Sequence, residues 1–162
     1  VKEYAEAGGY LLTLDFQQDS TWDTNFLPHS LAIFDDDLDI GAGAEIQDHP
    51  MWNSPNTITE DHFAAGLWPA GDFMADGPHE SPGAWEALLL AGGGSWPVIV
   101  GAEAGSGYVV FNSIQVLQAL GRGGAEEVAE VMQNMLLWRG ARDVEARGKL
   151  ATAWGAVKLS RR

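Results

Sequence analysis

The stretch from His49 to Phe63, HPMWNSPNTITEDHF, gathers the residue types from which active sites are built: two histidines, two asparagines, a tryptophan and, with Asp48 just before it, three carboxylates. Asp48 with His49 and Asp61 with His62 are candidate acid–base pairs for a hydrolase acting on sugars or amides, with or without a metal. The same residues also build turns. Pro50 and Pro55 fix the path of a chain, and Asn53 and Asn56 tie it down through side-chain bonds to the backbone.

Metal chemistry has two candidate sources. His29, His49, His62 and His79 lie among Asp48, Asp61 and Glu80, a donor set that suits zinc or iron, yet none of them forms an H-x-x-x-H or H-E-x-x-H pair. Asp35, Asp37 and Asp39 alternate as the first ligands of a calcium loop do. Such a loop then wants Gly at its sixth place and Glu at its twelfth, where this chain has Ile40 and Ile46. The expectation is therefore no cofactor, with calcium or another divalent cation as the alternative. A serine nucleophile needs a strand-to-helix elbow, whereas Gly105-Ser106-Gly107 reads as the tip of a hairpin.

Rings offer a further possibility. Five of the seven tryptophans, Trp22, Trp52, Trp68, Trp85 and Trp96, fall in or beside loops. Aromatic faces and nearby polar groups together bind saccharides, so Trp52, Asn53, Asn56 and Trp68 form a candidate ligand-binding set. The competing reading is that these rings cover core edges or an interface.

The elements that must position these residues follow from pattern. A chain of 162 residues with 46% apolar and 10% aromatic content is long enough for one domain with a full core. No apolar run approaches the roughly 18 residues that cross a bilayer, and the sequence reads as a soluble piece. The absence of cysteine removes disulfides, thiolate metal sites and a cysteine nucleophile. Residues 1–100 hold 17 acids against Lys2 alone, while residues 101–162 hold 6 acids and 8 bases, which together make the net charge of −14. A field of that sign disfavours nucleic-acid and anionic-membrane partners.

The opening VKEYAEAGGYLLTLDF predicts a helix tail ended by Gly8-Gly9 and then a strand over Tyr10–Phe16. Over residues 17–47 a short helix, a strand near Leu31–Phe34 and then loop are expected. Residues 48–83, with five of the seven prolines, predict a long decorated loop containing one short helix capped by Thr59. A strand follows at Trp85–Leu90. Val98–Gly101 and Tyr108–Ser113 flank a glycine-rich turn and predict a hairpin. Val128, Val131, Met132, Met135 and Leu136 place a helix over Ala125–Trp138 with one face on the sheet. The domain is expected to span 1–140, and 141–162 to form a basic C-terminal helix or tail with a weak apolar stripe of Val144, Leu150, Trp154 and Val157.

EYAEAGGYLLTLDF, DHPMWNSPNTITEDHF, PVIVGAEAGSGYVVFNSI and EVMQNMLLW, in that order, resemble the later half of class I glutamine-amidotransferase-like domains, in the version attached to bacterial sugar-deacetylase and glycosidase-type proteins. The resemblance covers roughly residues 2–138. It implies an α/β flavodoxin-like three-layer sandwich, N-terminally shortened, with a C-terminal β-hairpin and helix. Members with glutaminase activity carry a Cys directly after the strand that matches Tyr10–Phe16. Asp15, Phe16 and Gln17 stand there in this chain, so the resemblance implies a non-catalytic accessory domain for carbohydrate-related binding or assembly. The alternatives are the hydrolase above and a pure oligomerisation module. Without the family's first βα units the sheet is expected to expose an edge or a face, covered by a second copy or by other parts of a larger chain, and Trp22, Phe26 and Trp154 are candidate interface residues.

Overall fold

The computed structural model describes residues 1–14, 25–31, 34–39, 43–64, 74–77, 83–91, 93–94, 96–121 and 126–138. In chain order the elements are α1 (Lys2–Glu6), β1 (Tyr10–Leu12), β2 (Phe34–Asp39), β3 (Glu45–Ile46), two 3-10 turns (Pro50–Asn53 and Glu60–Phe63), β4 (Met74–Gly77), β5 (Glu86–Ala91), β6 (Trp96–Ala104), β7 (Gly107–Asn112), α2 (Val116–Gly121) and α3 (Glu126–Leu137). β1, β7, β6, β5 and β3 lie side by side in one mixed sheet, and β2 and β4 form a separate antiparallel pair. Within the larger sheet β1 runs parallel to β7, and the other described pairings are antiparallel.

The hairpin is the backbone of the sheet. β6 and β7 pair from Ile99 with Asn112 down to Ala104 with Gly107, and Gly105 turns the chain with φ of 61°, a left-handed conformation that glycine adopts at no steric cost. Ser106 beside it donates its backbone N–H to Glu6 O at 3.2 Å. It is a turn residue that ties the hairpin to the end of α1, as its sequence context predicts.

All six residues of β7 are buried, because both faces of the central strands are covered and strand residues alternate between faces. On one face Tyr108, Val110 and Ile99 join Met51, Trp52, Ile58 and Phe63 from the His-Pro segment and Val128, Val131 and Met135 from α3. On the other, Val109, Phe111, Val100 and Ala102 pack with Ala5, Leu27, Leu31 and Trp85. Each large side chain so buried contributes about 1.5–3 kcal/mol of transfer free energy. Trp85 also donates its indole N–H to Ser30 O at 2.9 Å. His29 bonds Glu103 O at 2.6 Å and stands edge-on to Trp85, which makes it a strap for residues 25–31.

Both sides of the sheet carry a buried cluster among the described residues, which bears on the expected exposed face and leaves the expected exposed edge as it stood. Phe26, a candidate interface residue, is partly buried and packs against the second of these clusters; Trp22 and Trp154 lie outside the described residues. Asp35, Asp37 and Asp39 sit on a strand paired to β4 through Phe34, Leu38 and Asp39, where a loop was expected. Strand β1 covers the first part of the expected Tyr10–Phe16, and α2 has no counterpart in the sequence reading.

Candidate functional site

The His-Pro segment lies across the sheet face and against α3, and its polar groups are committed at each anchoring point. His49 is the N-cap of the first 3-10 turn, its Nδ1 accepting the backbone N–H of Met51 at 3.2 Å. That acceptor role leaves the proton of a neutral imidazole on Nε2, which faces Tyr108 Oη at 3.4 Å. Tyr108 Oη in turn donates to Glu86 Oε1 at 2.5 Å. A directed chain of hydrogen bonds therefore runs from the Met51 amide through His49 and Tyr108 to the Glu86 carboxylate.

Residue choice explains how that chain fits. Glu86 pairs across the sheet with Gly101 on β6, two positions from Glu103, the partner of Tyr108. A Cβ on Gly101 would collide with Tyr108 Oη, so glycine there opens the path along which the phenol reaches Glu86. Trp138 closes the arrangement, its ring centroid 4.6 Å from His49 and 4.8 Å from Tyr108. His49 is 8% exposed.

The second anchor is Asn134, fully buried on the sheet-facing side of α3. Its Nδ2 donates to Met51 O and to Asn56 O, each at 2.8 Å, and its Oδ1 accepts the Asn56 backbone N–H at 2.9 Å. One side chain thus closes three backbone groups of an irregular segment that has no sheet or helix partner for them. Asn56 adds a bond from its own Nδ2 to Gln133 Oε1 at 2.9 Å. Trp52 supplies a third anchor: its Nε1 donates to Leu88 O at 3.1 Å and its ring is 2% exposed.

The fourth anchor uses the second histidine. The Thr59 backbone N–H donates to His62 Nδ1 at 3.1 Å, as in a capping box closed from the third helical position. His62 Nε2 then faces Glu130 Oε2 on α3 at 3.1 Å. Asp61, His62, Glu126, Glu127 and Glu130 line an open cleft of about 690 Å³. Among the described residues no three His, Asp or Glu side chains stand together as a metal site.

The sequence-predicted residues are therefore separated by the fold. His49 lies under Trp138, at the C-terminal end of α3, and His62 against Glu130, eight residues earlier, roughly 12 Å along a helix axis. Asp48, Asn53 and Asp61 are exposed. Trp52 faces the core, which corrects its assignment to a saccharide platform: its side chain is 2% exposed and belongs to the buried cluster. Trp68, His79 and Glu80 lie outside the described residues.

No family model, curated protein or solved structure matches the chain.

The residues that sequence reasoning missed are Glu86, Gly101, Tyr108 and Asn134. Asn134 had a legible signal, an amide in the apolar register of Val128, Val131 and Met135. Nothing in the sequence pairs Glu86 with Tyr108. The geometry gives different expectations for two neighbours. His49→Ala removes the cap and orphans the Met51 amide, and is expected to cost about 2–3 kcal/mol, whereas Asp48→Asn at an exposed site is expected to stay within about 0.5 kcal/mol. Urea unfolding of both variants checks this, and equal losses would show that Asp48 has a buried role.

Proposed function

We propose that the chain is a non-catalytic, amidotransferase-like accessory domain that serves assembly in a carbohydrate-related context, on a flavodoxin-like α/β core. The observation that carries the reading is the fate of the segment richest in chemical residue types. His49, Trp52, Asn56 and His62 each spend their polar atoms on the fold, and the two histidines stand apart. A catalytic pair needs a base within hydrogen-bond reach of a substrate proton and a nucleophile or acid beside it. Asp48 and Asp61 are surface carboxylates next to histidines whose Nδ1 atoms already accept backbone amides. The parallel β1–β7 pair, helices and loops on both sheet faces, and a sequence without cysteine support the resemblance without glutaminase chemistry.

Incubation of purified protein with chromogenic glycosides, acetylated sugars and primary amides is expected to give turnover no greater than buffer. Turnover that His49→Gln or Asp61→Asn abolishes in a folded protein would replace this reading with the hydrolase. A glycan array separates binding from assembly: with Trp52 in the core, neutral and amino sugars are expected not to alter tryptophan fluorescence. Saturable quenching retained in Trp52→Phe would move the saccharide site elsewhere on the surface.

A further inference from the structure

The first 3-10 turn of the His-Pro segment is capped by a bond that one proton removes. His49 Nδ1 accepts the Met51 backbone N–H at 3.2 Å, and in that role it has to carry a lone pair. Protonating the ring puts an N–H on Nδ1. Two donors then meet head to head, and the amide of Met51, a residue with no exposed surface, loses its acceptor. The groups around the ring do not offset this. From β7, Tyr108 Oη faces Nε2 at 3.4 Å, and its hydroxyl is turned to Glu86 on β5. From the end of α3 comes Trp138, an uncharged ring. The two rings draw a cation weakly, by less than it costs to strip water from a charge at a site 8% exposed. Glu86 is exposed and one phenol removed, and Asp48 is exposed beside His49 in the chain. Water screens both carboxylates, whereas the amide is in direct contact.

We propose that His49 is a proton-operated latch: at neutral pH its Nδ1 holds the first turn closed, and in mildly acidic surroundings proton uptake there drives out the Met51 amide and loosens the His-Pro segment. The second turn is built differently. His62 also accepts an amide, but that amide belongs to exposed Thr59, where water takes the place of the ring, and Nε2 faces Glu130. The acid-sensitive point is therefore the first turn. Its effect has a definite sign and size. The closed turn keeps the ring neutral, while the unfolded chain takes up one proton near the ordinary histidine value of about 6.5. Stability from this bond is complete above that pH and is lost as pH falls below it. The unfolding constant rises about tenfold between about pH 7.5 and 5.5 from this one group.

His49→Asn separates the proton from the cap. Asparagine Oδ1 stands where histidine Nδ1 does, one bond beyond Cγ, and asparagine is a favoured N-cap residue that does not titrate. The variant loses the packing of the ring on Trp138 and Tyr108, a loss that does not depend on pH. Urea unfolding of the unaltered chain and of the variant is compared at about pH 7.5 and 5.5, on either side of the ordinary histidine value. The ratio of their unfolding constants is expected to shift about tenfold in favour of the variant at the lower pH. Equal pH dependence in the two proteins would overturn the latch. Long-range proton–nitrogen NMR of the histidine rings reads the same claim in the unaltered chain, with no substitution. The His49 ring is expected to be neutral, with its proton on Nε2, wherever the Met51 amide keeps its native resonance. An imidazolium at His49 with the Met51 amide unmoved would overturn the proposal.

Discussion

Asn134→Ala is expected to remove about 3–5 kcal/mol of stability, a large share of the 5–15 kcal/mol that holds a typical domain. The loss exceeds that of one hydrogen bond because alanine takes the partner from the buried Met51 O and from the part-buried Asn56 O and Asn56 amide, and the segment between them has no regular ladder to fall back on. Asn134→Asp tests the same geometry differently. It keeps an acceptor for the Asn56 amide but turns a carboxylate toward two carbonyl oxygens, and is expected to be at least as damaging at neutral pH. Asn56→Ala deletes only the exposed bond to Gln133 and is expected to stay within about 0.5 kcal/mol. Urea denaturation read by circular dichroism measures all three. A loss below about 1 kcal/mol in Asn134→Ala would show that water replaces the amide and that the segment is not held at this point.

The second large effect is expected at Gly101. A methyl group there meets the Tyr108 hydroxyl first and its ring next, and the ring cannot retreat without displacing His49 and Trp138. Gly101→Ala is therefore expected to cost about 2–4 kcal/mol, as overpacking in a filled core does. Coupling distinguishes this cause from a general dislike of alanine in the strand. Tyr108→Phe removes the atom in closest conflict, so the double variant is expected to fall short of the summed single losses by about 1 kcal/mol or more. Additive losses would mean that the Glu86–Tyr108–His49 chain does not pass over Gly101.

How much of this was legible in the sequence follows from the range of each interaction. The hairpin, α3, the Gly8-Gly9 stop and the Thr59 cap rest on contacts a few residues long, and their turn and periodicity signals place them near their observed bounds. The His-Pro segment was legible as a choice between chemistry and architecture, because Pro and Asn leave the same marks in both. What decides it is contact across 78 to 83 residues, from Asn134 to Asn56 and Met51, and across 59, from Tyr108 to His49. One sequence contains no trace of such pairs until the sheet brings them together. Trp52 misled for a related reason: a tryptophan in a proline-rich loop looks available, but this loop is folded inward onto the core. The aspartates of β2 were ambiguous because alternation in an acidic run suits a calcium loop and a strand equally well.

The central claim is that the His-Pro segment is a fixed strap between the sheet and α3. Amide hydrogen exchange of the full chain tests it most directly, at the Met51 amide held by His49, the Asn56 amide held by Asn134 and the Ile58 amide held by Trp52 O at 2.7 Å. The account predicts that all three exchange as slowly as the central strands, through global unfolding, and that Asn134→Ala moves Met51, Asn56 and Ile58 together into a separate, faster group while β6 and β7 keep the lower protection of a less stable whole. Rapid exchange of these amides in the unaltered chain, alongside slow exchange in β6 and β7, would contradict it.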